Sequence, residues 1–187
     1  MKIKLVFVGP SNAGKTSIIN RFVYNEFSVH ILPSTQPAFC QKVIKVNNQN
    51  IQLEIWDTAG QERYHSLSPL FYRDADIGIV TFDLTSTDSF ETARQWIDEL
   101  HQNRGDGIII GLAGNKRDLA DQRQISFAQM HKFAQDTNVV AVETSAQSGE
   151  NINYMFDVLL KQFIDSGNTP SKGNDTPVPD EKSGCFC

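Results

Sequence analysis

Gly9-Pro10-Ser11-Asn12-Ala13-Gly14-Lys15-Thr16 follows an apolar run at residues 3–8 and leads into Ser17-Ile18-Ile19-Asn20-Arg21-Phe22-Val23, which has helical character. The pattern G-x-x-x-x-G-K-S/T between a strand and a helix is a phosphate-cradling loop. Its glycines let the backbone curl, so that successive N–H groups along residues 11–17 converge on an anion. A helix opening at Lys15 adds its positive N-terminal end. Ser11, Asn12, Ala13, Gly14, Lys15, Thr16 and Ser17 are therefore the expected phosphate-binding residues. Lys15 is placed to reach the β- and γ-phosphates, and the Thr16 hydroxyl to coordinate Mg²⁺. The plain alternative is a ligand-free glycine turn, but the strand before it and the helix after it favour a nucleoside-triphosphate site.

The surrounding 187 residues suit one α/β domain with a substantial core. A net charge of −5 with no basic stripe argues against a protein that holds nucleic-acid backbone. No apolar run approaches the roughly 18 residues of a membrane span, and the short run 3–8 reads as a first strand rather than a signal peptide. Of the three cysteines, Cys40 reads as a small buried side chain, and Cys185 and Cys187 sit beside the terminus. No disulfide framework is implied, and a monomer in a reducing compartment is expected.

β-rich runs at 3–8, 39–46, 51–56, 77–82, 108–113 and 139–143 are interspersed with helical patterns at 89–101, 127–135 and 152–163. This predicts a six-stranded, mostly parallel sheet with one antiparallel edge strand and helices on both faces. Asn47-Asn48-Gln49-Asn50 reads as the hairpin turn joining the antiparallel pair. Ligands of such sheets bind beyond the carboxyl ends of the strands, where the phosphate loop, Asp57 and Asn115 fall. Residues 1–165 form the expected nucleotide-binding domain, and the polar, proline-bearing 166–187 a flexible tail.

Asn115-Lys116-Arg117-Asp118 names the base. A carboxylate at Asp118 can accept hydrogen bonds from N1–H and the 2-amino group of guanine, donors that adenine does not offer there. Such a site discriminates by about 10⁴-fold or more. Ser145-Ala146 would supply a backbone N–H to the guanine 6-oxo group, with Gln147 beside them. In Trp56-Asp57-Thr58-Ala59-Gly60-Gln61, Asp57 can hold a Mg²⁺-bound water and Gly60 can donate its N–H to the γ-phosphate. Gln61 can orient the attacking water, which makes it the catalytic candidate.

Together these residues resemble the Ras superfamily of small GTPases, and more closely its Rab branch, over about residues 2–163. Gln52-Leu53-Glu54-Ile55-Trp56-Asp57-Thr58, Phe71-Tyr72-Arg73-Asp74-Ala75 and Thr81-Phe82-Asp83-Leu84-Thr85 are Rab-like stretches. Gln61 through Pro69 is most similar to the early-endosomal Rabs. The resemblance implies that Phe27 lies across the guanine edge and that Phe39, Trp56 and Phe71 form the aromatic triad that effectors read. For Trp56 an ordinary core role stands beside that one. Cys185-Phe186-Cys187 resembles the Cys-x-Cys terminus that Rabs carry with two geranylgeranyl groups. Two lipids give stable anchoring where one does not, and a tail of about 20 residues spans roughly 25 Å. Implied partners are an exchange factor, a GTPase-activating protein, a GDP-dissociation inhibitor, a Rab escort protein and effectors. The implied location is the cytoplasmic face of endosomal membranes, with a cytosolic pool.

Switch I departs from the Rab pattern. The stretch Pro33-Ser34-Thr35-Gln36-Pro37-Ala38-Phe39 replaces Thr-Ile-Gly, and Pro37 has no N–H. Gap-free counting places Ser34 where the Mg²⁺-coordinating threonine is expected, and a one-residue shift places Thr35 there. Two alternatives to a switching GTPase follow: a module that holds guanine nucleotide but switches poorly, and another P-loop enzyme such as a nucleoside kinase. The altered switch I favours the first of these, Gln61 argues against it, and Asp118 argues against the second.

Overall fold

The computed structural model describes residues 1–29, 38–58, 72–104, 107–168 and 170. Six strands form one sheet: β1 (Lys2–Val8), β2 (Ala38–Val46), β3 (Gln49–Asp57), β4 (Ile77–Asp83), β5 (Ile109–Asn115) and β6 (Val140–Glu143). Their order across the sheet is β2-β3-β1-β4-β5-β6. Among the described residues only β2 and β3 pair antiparallel, and the other pairings are parallel. Among the described residues the α-helices are α1 (Lys15–Tyr24), α2 (Thr87–Arg104), α3 (Phe127–Asp136) and α4 (Ile152–Asp165).

Burial of β1 on both faces explains its unbroken apolar run, since Ile3, Leu5, Val6, Phe7 and Val8 are all inaccessible to solvent. Its side chains divide by the two-residue period of a strand. Ile3, Leu5 and Phe7 join the core beneath α1 and α4, where the rings of Phe22 and Phe156 stack at 3.5 Å. Val6 and Val8 join the core beneath α2 and α3, with Phe90, Trp96, Ile97 and Met130. The helices therefore cover both faces, as the alternating pattern predicts.

The hairpin is tighter than its sequence suggests. Val46 pairs directly with Gln49, so Asn47 and Asn48 alone make the turn, with φ of 48° and 62°. Two consecutive left-handed residues define the hairpin turn whose twist matches the flanking strands, and asparagine tolerates that conformation. Gln49 and Asn50 belong to β3. Asp57 and Asn115 are the last residues of β3 and β5 rather than the first of the loops beyond.

Helix α4 lies so close to β5 that a Cβ on Gly111 would sit 2.7 Å from Cδ1 of the fully buried Leu159. Gly111→Val should therefore lower unfolding free energy by about 1–3 kcal/mol, the usual range for overpacking. Gly107, with nothing within 4 Å of its would-be Cβ, should accept alanine without such loss. Urea unfolding of the two variants tests this, and equal midpoints would mean that α4 moves aside freely.

Candidate nucleotide-binding site

At the carboxyl ends of β1, β3, β4 and β5 lies an open cleft of about 410 Å³. Its phosphate-loop wall is lined by Ser11, Asn12, Gly14, Lys15, Thr16 and Ser17, and the wall from the later loops by Asn115, Lys116, Asp118, Ala146 and Gln147. Phe27 lines it as well, half-buried and packed against the α1–α4 core. The backbone makes the loop possible: Gly9, Asn12 and Gly14 have φ of 130°, 63° and 93°. A Cβ on Gly9 would lie 2.2 Å from the Thr81 carbonyl oxygen, so the loop also needs glycine for close passage over β4. Gly14 caps α1 with no side chain, and the first turn carries no acidic residue. That leaves the helix end electropositive toward the cleft.

Lys15 is buried, and its Nζ donates to the carbonyls of Gly9 and Pro10, each at 2.9 Å. Burial lowers its pKa to about 8, with the nearby Asp57 carboxylate acting in the opposite direction. Burial likewise pushes the Asp57 carboxyl upward, against the hydrogen bond from Thr16 and the charge of Lys15. The Thr16 hydroxyl donates to Oδ2 of Asp57 at 2.5 Å, while Oδ1 of Asp57 is buried without a hydrogen-bond partner. An orphaned carboxylate oxygen beside a hydroxyl is a hard-oxygen pair suited to Mg²⁺, which takes one or two protein oxygens and fills its shell with phosphates and water.

At the other end, the Asn115 amide joins three segments. Nδ2 donates to the Ala13 carbonyl at 2.9 Å, and Oδ1 accepts from the Ala146 N–H at 3.2 Å and the Thr144 hydroxyl at 3.4 Å. Lys116 takes a left-handed φ of 66°, and its Nζ pairs with Oδ2 of Asp83 at 2.7 Å. Asp83 Oδ1 in turn accepts from the N–H and hydroxyl of Thr85, and these contacts hold its carboxyl below its ordinary range even though burial acts upward.

Some expected residues sit differently from their sequence reading. Ser145 does not line the cleft: its N–H donates to the Glu150 carbonyl, and its hydroxyl to Asp118 Oδ1 at 2.5 Å. Of the Ser145-Ala146 pair, Ala146 is the one that lines it. Ala13 is a buried residue of the loop itself and is not among those lining the cleft. Phe39 and Trp56 lie with ring centroids 4.9 Å apart. Ser34, Thr35, Gly60, Gln61, Phe71, Cys185 and Cys187 lie outside the described residues. Thr58, Leu119, Ser28 and Val29 also line the cleft; Thr58 falls within a quoted motif without a role of its own, Leu119 adjoins one, and Ser28 and Val29 carry no motif signal. Arg21 also escapes a sequence reading. From α1 it donates to the carbonyls of Ala146 and Gln147, both at 2.9 Å, and so ties the helix to the base end of the cleft.

A comparison with protein families finds a match over residues 4–165 to the model described as Ras family. The chain belongs to the Ras family. As a Ras-family protein it is a small GTPase in the general sense, of a kind that binds GTP or GDP with Mg²⁺ and works with exchange factors, activating proteins and effectors.

Because burial lowers the pKa of Lys15 in this Ras-family chain to about 8, an anionic phosphate that favours the ammonium form draws a proton onto it at higher pH. Nucleotide affinity should therefore be steady below about pH 7 and fall as pH rises through 8. GDP should bind about fourfold more weakly at pH 8.5 than at pH 7, by the linkage between proton and ligand. Titrations kept below pH 9, where the base retains its N1 proton, check this. A flat profile would show that Lys15 stays fully charged in the free protein.

Proposed function

We propose that this small GTPase is a Rab-type switch that holds GDP or GTP, hydrolyses GTP slowly, and acts on endosomal membranes through a doubly lipidated tail. The observation that carries the guanine reading is the placement of Asp118 and Ala146 at one end of the cleft and Lys15 and Thr16 at the other. Asp118 would accept from the N1–H and 2-amino group of the base, and the Ser145-Ala146 pair would supply a backbone N–H to the 6-oxo group, the Ala146 N–H exchanging its 3.2 Å bond to Asn115 Oδ1 for that contact. Lys15 and the loop amides would hold the β- and γ-phosphates, with Gly60 donating to the γ-phosphate. Thr16 and Asp57 would hold Mg²⁺ together with Ser34 or Thr35, and the bound ion would neutralise charge on the β- and γ-phosphate oxygens. Gln61 would orient the attacking water; a partner arginine would be required for fast turnover.

The Rab reading rests on the stretches around residues 52–58, 71–75 and 81–85, on the Phe39–Trp56 contact, and on Cys185 and Cys187. Its partners would be an exchange factor, a GTPase-activating protein, a GDP-dissociation inhibitor, a Rab escort protein and effectors. The hydrolysing form would order residues around switch I and residues 60–73 while the γ-phosphate is bound, and release them afterwards.

Competition against a fluorescent GDP analogue tests the base assignment. ATP should displace it at least about 10³-fold less effectively than GTP, because Asp118 would face an acceptor on adenine. Comparable displacement would remove the guanine reading. For the membrane assignment, changing both Cys185 and Cys187 to Ser should leave the full chain in the soluble fraction of cells, while each single change leaves weak membrane association. Firm membrane binding by the double variant would place the anchor elsewhere.

A further inference from the structure

Arg117 occupies the one position of the 115–118 stretch to which the guanine reading gives no ligand contact, yet its side chain reaches two carboxylates on the neighbouring loop and strand. Its Nη1 pairs with Oε1 of Glu150, and its Nε lies 3.5 Å from Oε2 of Glu143. Glu143 is buried at the end of β6, Glu150 stands just before α4, and Arg117 follows β5, so one guanidinium spans both loops that form the base end of the cleft. Glu150 then returns the connection toward the base. Its carbonyl accepts from the Ser145 N–H at 3.1 Å, and the Ser145 hydroxyl donates to Asp118. Arg117, Glu150, Ser145 and Asp118 thus form a closed circuit, completed by the peptide bond between residues 117 and 118.

We propose that Arg117 is a positioning residue for guanine-nucleotide retention: it clamps the 115–119 loop to the 144–150 loop and so fixes the direction of the Asp118 carboxylate. The inference rests on the guanine reading of the cleft given above. The side chain acts through Glu150 and Ser145 and touches no part of the ligand-lining surface. Removing it leaves no buried charge stranded. Glu143 keeps a two-pronged pairing with Arg123, at 2.6 and 2.9 Å, and its carbonyl still accepts from Asn151. The backbone link from the Arg117 N–H to the Thr144 carbonyl at 3.0 Å also survives truncation of the side chain. What is lost is the outer half of the clamp. Because Arg117 and Glu150 are both partly open to solvent, that half should be moderate in strength and sensitive to salt.

Release of a fluorescent GDP analogue from the full-length, nucleotide-loaded protein tests the clamp. Arg117→Ala should release GDP about two- to fivefold faster, in keeping with an ion pair of this exposure. Glu150→Gln should do the same, and the double variant should be no faster than either single one, because the two residues act as a unit. Arg117→Lys should recover part of the retention, and raising salt should bring the unmodified chain toward the Ala variant. Inosine diphosphate lacks the 2-amino group and so uses less of Asp118; its release should change less than that of GDP. Unchanged GDP release in Arg117→Ala, additive single effects, or equal acceleration for the two nucleotides would each overturn the clamp while leaving the guanine reading intact. An unmodified chain that holds no guanine nucleotide would overturn both.

Discussion

The side-chain amide of Asn115 sets the span of the cleft. Its donor side holds the phosphate loop through the Ala13 carbonyl, and its acceptor side holds residues 144–146. Two loops more than a hundred residues apart in the chain are thereby kept at one separation. The fit is close: a Cβ on Gly14 would lie 2.2 Å from the Asn115 amide nitrogen, so the second glycine of the motif is required for contact with this side chain as well as for its own φ of 93°. The amide is buried, where an unmade hydrogen bond costs about 1–3 kcal/mol, so the arrangement resists partial disengagement.

An acidic protein has here assembled a hollow suited to polyanions without any surplus of basic residues. Lys15 and Lys116 supply the positive charge, and each is held by its own acceptors: Lys15 by two backbone carbonyls, Lys116 by the Asp83 carboxylate. The left-handed turns of residues 12 and 14 and the uncapped start of α1 add backbone dipoles that carry no formal charge. Net charge therefore says little about this site, because its field comes from groups with fixed positions.

Fold class and the two ends of the site were legible because each is written in contiguous residues. A strand–loop–helix pattern around Gly9–Thr16 requires a nest wherever it occurs, and Asn115–Asp118 follows directly from a strand end. The supporting residues were not legible, since nothing local distinguishes Asp83, Arg21 or Glu150 from ordinary surface polar side chains. Only the parallel pairing of β4 with β5, which sets Asp83 opposite Asn115, brings Asp83 within reach of Lys116. The Ser145-Ala146 motif points to the base, but nothing local announces that the Ser145 N–H and hydroxyl bond to the Glu150 carbonyl and to Asp118. The hairpin was read two residues too long because Gln49 and Asn50 look like turn residues, while two left-handed asparagines had already completed the reversal.

The stacking of Phe22 on Phe156 bears on the order in which the chain can be made. Helix α1, which emerges early in synthesis, completes its apolar contacts only with α4, more than 120 residues later. Until α4 has left the ribosome, Ile18, Ile19 and Phe22 lack their cover, and β1 is sheltered on one face alone. Pairing of such distant segments is slow and leaves apolar surface exposed meanwhile. The nascent domain thus closes the core over α1 as one of its last acts, which makes the interval before α4 docks the time of greatest need for a chaperone.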